Sequence, residues 1–361
     1  MLDQAYKERL ANVLRPASLP VVLNNVYTDD QRRRLLGVVH DNGPWQLILA
    51  QHFSSPEALI ATMSGTLPEG VTPSLDMWLT PTFRGFYANY GASLYPEIND
   101  CFYNSQFLDY AKKYWNAKYA KPQMMLFNIN GPCGNTDPGH LDSPSFRGIR
   151  YENAPTWLCS LMGKSGLFTD YLIKMAQVIT WFSRDAGSGF TYWPNGPLAA
   201  PERLMPPVYN RGVVVQNEMM YHRGESNGPV AQQRPEGLTL NSLFSGDPAD
   251  QDGWQVKTDD KVIARYNTDD LRFLVHWNAE VFEDFAELKK NMNGAHNLTY
   301  DQVWETFIKD LRARGIEVSV PADPLTDRAF IFTLMSAYDL GAPAIYPAEA
   351  PVSALNLSKA A

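Results

Sequence analysis

The residues of this chain with the clearest chemical use are His140 and Asp142, in Gly139-His140-Leu141-Asp142-Ser143. In an extended segment, side chains two apart project to the same face. One imidazole nitrogen and one carboxylate oxygen can therefore meet at a single point. Leu141 turns the opposite way, into apolar packing. A nitrogen and an oxygen donor make half of a metal site. A second histidine would complete a set that covers one face of a divalent ion and leaves the other face open.

Three later histidines compete for that role. His222 ends the segment Gly212-Val213-Val214-Val215-Gln216-Asn217-Glu218-Met219-Met220-Tyr221-His222, which starts as a β-branched strand and stops at a turn. Alternation would put Glu218 and Met220 on its face, with Glu218 a candidate partner for a ligand histidine or for a nearby arginine. His276 sits inside Leu274-Val275-His276-Trp277, and His296 lies in a loop before a helix. An oxidant delivered as a dicarboxylate needs a bidentate cationic fork near the metal, which is arginine's chemistry. Arg234 follows His222 by twelve residues, whereas the next arginine after His276 is Arg312, in a terminal helix. His222 is therefore the preferred second histidine.

This combination resembles the iron(II)/2-oxoglutarate-dependent oxygenases, and among them the phytanoyl-CoA dioxygenase-like group. His140-Leu141-Asp142 matches the HxD of that family, and His222 with Asn227 and Arg234 matches its distal run. The resemblance covers roughly residues 120–280. It implies that His140, Asp142 and His222 hold Fe(II) and that 2-oxoglutarate and O2 are cosubstrates. Arg234 would pair the distal carboxylate, helped by Thr239 or Ser242, and Asn128 or Asn130 would bond the other end of the cosubstrate. Arg272, in Leu271-Arg272-Phe273-Leu274, is the alternative fork, with Arg211 and Arg147 behind it. The implied reaction is oxidation of an unactivated C–H bond, hydroxylation by default, with release of succinate and CO2. Asp142 stands where a halogenase leaves its iron open for chloride, which disfavours that chemistry. The competing expectation is a cupin-like isomerase or metal-binding protein using the same triad without O2.

The elements that must position these residues follow from pattern. Met124–Asn130 reads as a buried strand running into the turn-rich loop Gly131–Gly139 that delivers His140. Further strands are expected around Thr156–Leu161, Phe190–Trp193, Gly212–His222, Thr239–Phe244, Val262–Tyr266 and Leu271–Trp277, with a helix over Leu167–Ala176. Capping boxes at Thr28/Gln31 and Thr299/Gln302, and Ser55-Pro56-Glu57, mark helix starts. The fold class is expected to be α+β with a mainly β core. The resemblance implies a double-stranded β-helix of the jelly-roll or cupin-like kind, flanked by N- and C-terminal helices. Residues 1–361 are expected to form a single domain: 1–120 mostly helical, 121–285 the β core with the metal site, and 286–361 a helical extension.

Composition narrows the partners. The chain has 361 residues, 45% of them hydrophobic, enough for a large core. Against 31 Lys and Arg stand 39 Asp and Glu, and no basic stripe interleaves with aromatics, so nucleic acid is not expected as a partner. Three widely spaced cysteines suggest neither disulfides nor zinc. No apolar run reaches the length of a membrane span, and Met1-Leu2-Asp3-Gln4 lacks a signal-peptide pattern, so a cytoplasmic protein is expected. Aromatic and methionine richness near the proposed site suggests a bulky, partly apolar small molecule as substrate.

Overall fold

Fourteen strands lie among the described residues of the computed structural model, which are 4–63, 74–134, 137–228 and 234–350. They are β1 Val21–Asn24, β2 Trp45–Leu47, β3 Thr82–Asn89, β4 Ala92–Ser93, β5 Tyr119–Asn130, β6 Met175–Phe182 and β7 Phe190–Tyr192. The rest are β8 Glu202–Leu204, β9 Arg211–Val215, β10 His222–Gly224, β11 Leu243–Asp247, β12 Asp250–Thr258, β13 Lys261–Asn267 and β14 Arg272–Phe282. Residues 351–361 lie outside these.

Eleven strands form one antiparallel sheet in the order β1-β9-β6-β14-β5-β3-β2-β11-β12-β13, with β4 beside β3. A small sheet, β10-β7-β8, packs against part of it. Ile179, Trp181, Val213, Val215 and Leu274 from the large sheet share an apolar cluster with Phe190, Tyr192 and Leu204 from the small one. The opposite face of the large sheet carries Phe83, Tyr87, Met125, Phe127, Val178, Phe273, Val275 and Trp277. These pack on helices Asp29–Asp41 and Ser105–Trp115 through Leu35, Val38, Val39, Phe107 and Ala111. A second cluster joins helices Thr156–Ser165, Tyr300–Ala313 and Arg328–Tyr338. No helix among the described residues is long and apolar enough to cross a membrane.

Local chemistry explains the elements that match expectation. Thr28 and Gln31 form their capping box, as do Thr299 and Gln302, and the Ala58 amide donates to Ser55 Oγ. The three cysteines are buried and free.

Three expectations are corrected. Thr156–Ser165 is a helix, not a strand: nine of its residues are buried, so no amphipathic period betrays it. Its punctuation, Pro155 before it and Gly166 at φ 67° after it, was the available signal. The expected helix over Leu167–Ala176 is a short 3-10 turn, Thr169–Tyr171, leading into β6. All eight residues of β6 are buried, so its sequence, Met-Ala-Gln-Val-Ile-Thr-Trp-Phe, shows no alternation. The single strand expected over Gly212–His222 is two, β9 and β10, belonging to different sheets.

Trp277 is fully buried on β14, and its Nε1 donates to the Phe102 carbonyl at 2.8 Å. Trp277→Ala opens a cavity and strands that carbonyl. It is expected to cost about 3–5 kcal/mol, read as a lowered urea midpoint.

Candidate metal centre

The loop after β5 delivers His140 through two constraints. Gly139 has φ 120°, and the Asp137 carboxylate accepts from its amide at 2.8 Å, closing a turn just before the histidine. His140 then enters an antiparallel bridge with His222. Its amide donates to the His222 carbonyl at 3.1 Å, and the His222 amide returns a bond of 3.0 Å to the His140 carbonyl. The Asp142 amide continues the ladder to the Asn217 carbonyl at 3.1 Å. The segment is extended, and Leu141 points away from the site into a cluster with Leu14, Trp193 and Tyr221.

One ligand atom from each of His140, Asp142 and His222 lies within 4.8 Å of the others. The imidazole rings are 4.5 Å apart, and His222 Nε2 stands 3.6 Å from Asp142 Oδ1. Both Nδ1 atoms are already engaged: His140 with Asp137 Oδ2 at 2.7 Å, and His222 with the Met220 carbonyl at 3.1 Å. Each Nε2 is thus left with its lone pair available, the usual arrangement when a carboxylate or carbonyl orients a metal-binding imidazole. The His140 and Asp142 side chains are 29% and 27% exposed and that of His222 is 7%, so the group opens to one side. His276 and His296 stand outside the cluster; His296 is an exposed loop residue.

A buried chain fixes the carboxylate. Gln177 Nε2 donates to Asp142 Oδ2 and to Glu218 Oε1, each at 2.9 Å, while its carbonyl accepts from the Asn217 amide. Glu218 thus reaches the Asp142 carboxylate through Gln177 rather than pairing a histidine. Burial, with the Asp142 charge adding to it, pushes the Glu218 carboxyl up to about 8. Burial alone would raise Asp142, but the nearby His222, His276, His140 and Arg84 hold it below the usual carboxylate range. Burial lowers His222 to about 4. It acts against protonation of His140 too, yet the Asp137 carboxylate outweighs it and raises that imidazole.

Other residues expected at the site fall as follows. Arg234 is exposed, and its guanidinium donates to the Asp76 carbonyl at 2.6 Å. Ser242 Oγ accepts from the Thr239 amide and bonds Thr258 Oγ1, closing a turn ahead of β11. Asn128 accepts from Arg84 Nε at 2.8 Å, and the Asn130 side chain donates to the Gly131 carbonyl. Arg272, by contrast, is buried at the start of β14, directly across from Asn130. A Cβ built on Gly224, two residues past His222, would lie 3.3 Å from its guanidinium nitrogens. Its donors meet only the Ser188 and Gly189 carbonyls, and it makes no ion pair among the described residues. Trp181, whose ring centre is 5.8 Å away, carries a buried Nε1 with no acceptor among the described residues.

Asp137 and Gln177 were not singled out from the sequence. Asp137-Pro138-Gly139 is a recognisable turn and could have flagged the first. Gln177 lies in a uniformly buried strand, and nothing local marks it.

No protein-family model matches the sequence, and no curated protein matches it. Among solved structures, a 2OG-Fe(II) oxygenase family oxidoreductase from Burkholderia pseudomallei aligns over 78% of this chain and 95% of its own, at 10% identity and TM-score 0.38. HygX from Streptomyces hygroscopicus, with nickel and 2-oxoglutarate bound, aligns over 78% and 90% at 8% identity and TM-score 0.33. EvdMO1 aligns over 75% of this chain and 50% of its own at 12% identity and TM-score 0.33. At such identities and scores, the reading of the site rests on the chain's own residues.

Two outcomes follow from the geometry. A proton competes with the metal at His140 Nε2, so Ni(II) affinity should fall as pH drops through a value above the ordinary 6.5. His222 adds its own loss only near 4. Asp137→Asn should move the upper step to lower pH and, at alkaline pH, weaken Ni(II) about 10–100-fold by calorimetry. Glu218, raised from 4.5 to about 8, contributes stability that is complete below its unfolded value and lost as pH rises through about 8. The melting temperature of the metal-free chain should therefore fall on that rise, and Glu218→Gln should remove this component.

Proposed function

We propose that this chain is a non-haem Fe(II)/2-oxoglutarate-dependent dioxygenase that oxidises an unactivated C–H bond of a small, partly apolar organic molecule. The observation that carries the reading is the convergence of His140, Asp142 and His222 with both Nδ1 atoms occupied and one side open. Two imidazoles and one carboxylate suit Fe(II) and leave positions for a chelating cosubstrate. In this reading the strand order β5-β14-β6-β9 is one half of a double-stranded β-helix. The His140 bridge with β10-β7-β8 is the other. The order of HxD, distal histidine and arginine fits the phytanoyl-CoA dioxygenase-like group, with the arginine displaced by the segment that carries β11, β12 and β13.

In the proposed assignment Arg272, rather than Arg234, takes the distal carboxylate of 2-oxoglutarate. Arg272 is a buried cation without an acid partner among the described residues, beside an indole N–H without an acceptor. Burial lowers it to about 10, which still leaves it charged at neutral pH. A dicarboxylate would supply the missing acceptors. Asn130, paired across from Arg272, is the nearer of the two asparagines expected to touch the cosubstrate. Fe(II), 2-oxoglutarate and O2, when bound, supply the oxidising equivalent, with succinate and CO2 as co-products. The chain's share is to hold the ligand atoms, orient the keto acid and keep water from the reacting carbon. An isomerase built on the same triad has no use for a buried guanidinium beside it.

The test is aerobic succinate formation from added Fe(II) and 2-oxoglutarate. It should be abolished in His140→Ala and Asp142→Ala. Arg272→Gln should raise the KM for 2-oxoglutarate on the order of 100-fold, as expected when a buried charge pair is truncated. Arg234→Gln should leave it within about twofold. The reverse pattern returns the role to Arg234, and no succinate from the wild type rejects the oxygenase reading.

A further inference from the structure

A second guanidinium, half-buried on Arg84, faces the same interior. Arg84 lies on β3, where Phe83 and Tyr87 belong to the core on the other face of the sheet. Register places Arg84 beside Asn128, Asn128 beside Leu274, and Leu274 beside Trp181, so this row crosses the interior-facing side of four adjacent strands. The next row holds Phe86, Leu126, His276 and Ile179. Arg84 is therefore on the wall that carries Gln177, the residue that grips Asp142.

Its partners leave it electrically incomplete. Nε donates to Asn128 Oδ1 and Nη1 to His52 Nε2, each at 2.8 Å, and no acid pairs with it among the described residues. Both acceptors are neutral, because burial and the Arg84 charge depress His52 to about 3. Burial brings Arg84 down to about 10, so it stays protonated at neutral pH. Its charge also acts on Asp142, His140 and His276, which puts it within electrostatic reach of the ligand set. A cation partly withdrawn from water without an ion pair among the described residues is costly, and the chain retains this one beside the half-buried Asn128.

We propose that the open edge of the Arg84 guanidinium binds the carboxylate of the molecule to be oxidised, an organic monocarboxylic acid with an apolar body. The substrate class rests on the oxygenase reading, but the anion site does not. With Nε on Asn128 and one Nη1 hydrogen on His52, the second Nη1 hydrogen and the Nη2 pair remain for one carboxylate. A phosphate dianion would need further donors, and Phe86 and Leu126 in the next row, with Leu274 beyond Asn128, supply apolar surface instead. The carboxylate would compensate the cation while the apolar body extends over that row toward the metal ligands.

The experiment is calorimetry on the full chain without metal or keto acid, titrated with octanoate and with octanamide. Octanoate is expected to bind about tenfold or more tighter than octanamide, as for a hydrogen bond to a charged group. Arg84→Gln should remove the difference. Arg84→Lys, which keeps the charge and loses the fork, should weaken octanoate about three- to tenfold and leave octanamide unchanged. Equal binding of acid and amide, binding of neither, or an octanoate affinity unaltered in Arg84→Lys overturns the proposal. So does an acid preference that survives Arg84→Gln and is competed by 2-oxoglutarate, which would place the acid at Arg272. Because neither metal nor keto acid is present, failure here leaves succinate formation by the triad untouched as a separate question.

Discussion

The arrangement depends on one pair of reciprocal backbone hydrogen bonds, between His140 and His222. Residues directly opposite in an antiparallel pair bring their side chains to the same face, so this bridge makes two imidazoles distant in sequence into neighbours. Everything else at the centre refines that contact. Asp137 and the Met220 carbonyl turn the two rings so that each Nε2 is available, and the Asn217 carbonyl holds Asp142 in register. A slip of one residue would send His140 and Asp142 into the space of Leu141.

The large sheet serves two solvents at once. The outward side chains of β5 and β14 are aromatic and aliphatic, and they meet a helical layer whose packing anchors the sheet. The inward side chains include Arg272, His276, Asn278, Asn128 and, from the neighbouring strands, Arg84 and Gln177. Buried polar groups on this scale cost stability unless they are satisfied, and His276 Nε2, Asn278 Oδ1 and Trp181 Nε1 lack partners among the described residues. Arg84 and Arg272 make no ion pair among the described residues, and their donors there meet neutral acceptors.

Part of this was readable along the chain. The HxD spacing, the late histidine and the capping boxes are local patterns with local causes: both capping boxes form, and the three donor side chains come together. The helix at Thr156–Ser165 and the strand β6 were misread for a shared reason. Both are buried on all sides, and a segment without a wet face carries no period to read. The order of arginines along the chain favoured Arg234, yet Arg234 is exposed against the Asp76 carbonyl, while Arg272 lies buried beside Gly224.

The amino-acid order by itself determined which donor atoms could meet, because two-residue spacing on an extended segment is a property of the backbone alone. Only the tertiary structure decided which arginines share the interior and which make no ion pair among the described residues. Those facts depend on strand pairings between Arg272 and Asn130 and between Arg84 and Asn128, formed across long loops. Pairing across such loops is governed by the packing of whole sheets, and no local spacing encodes it.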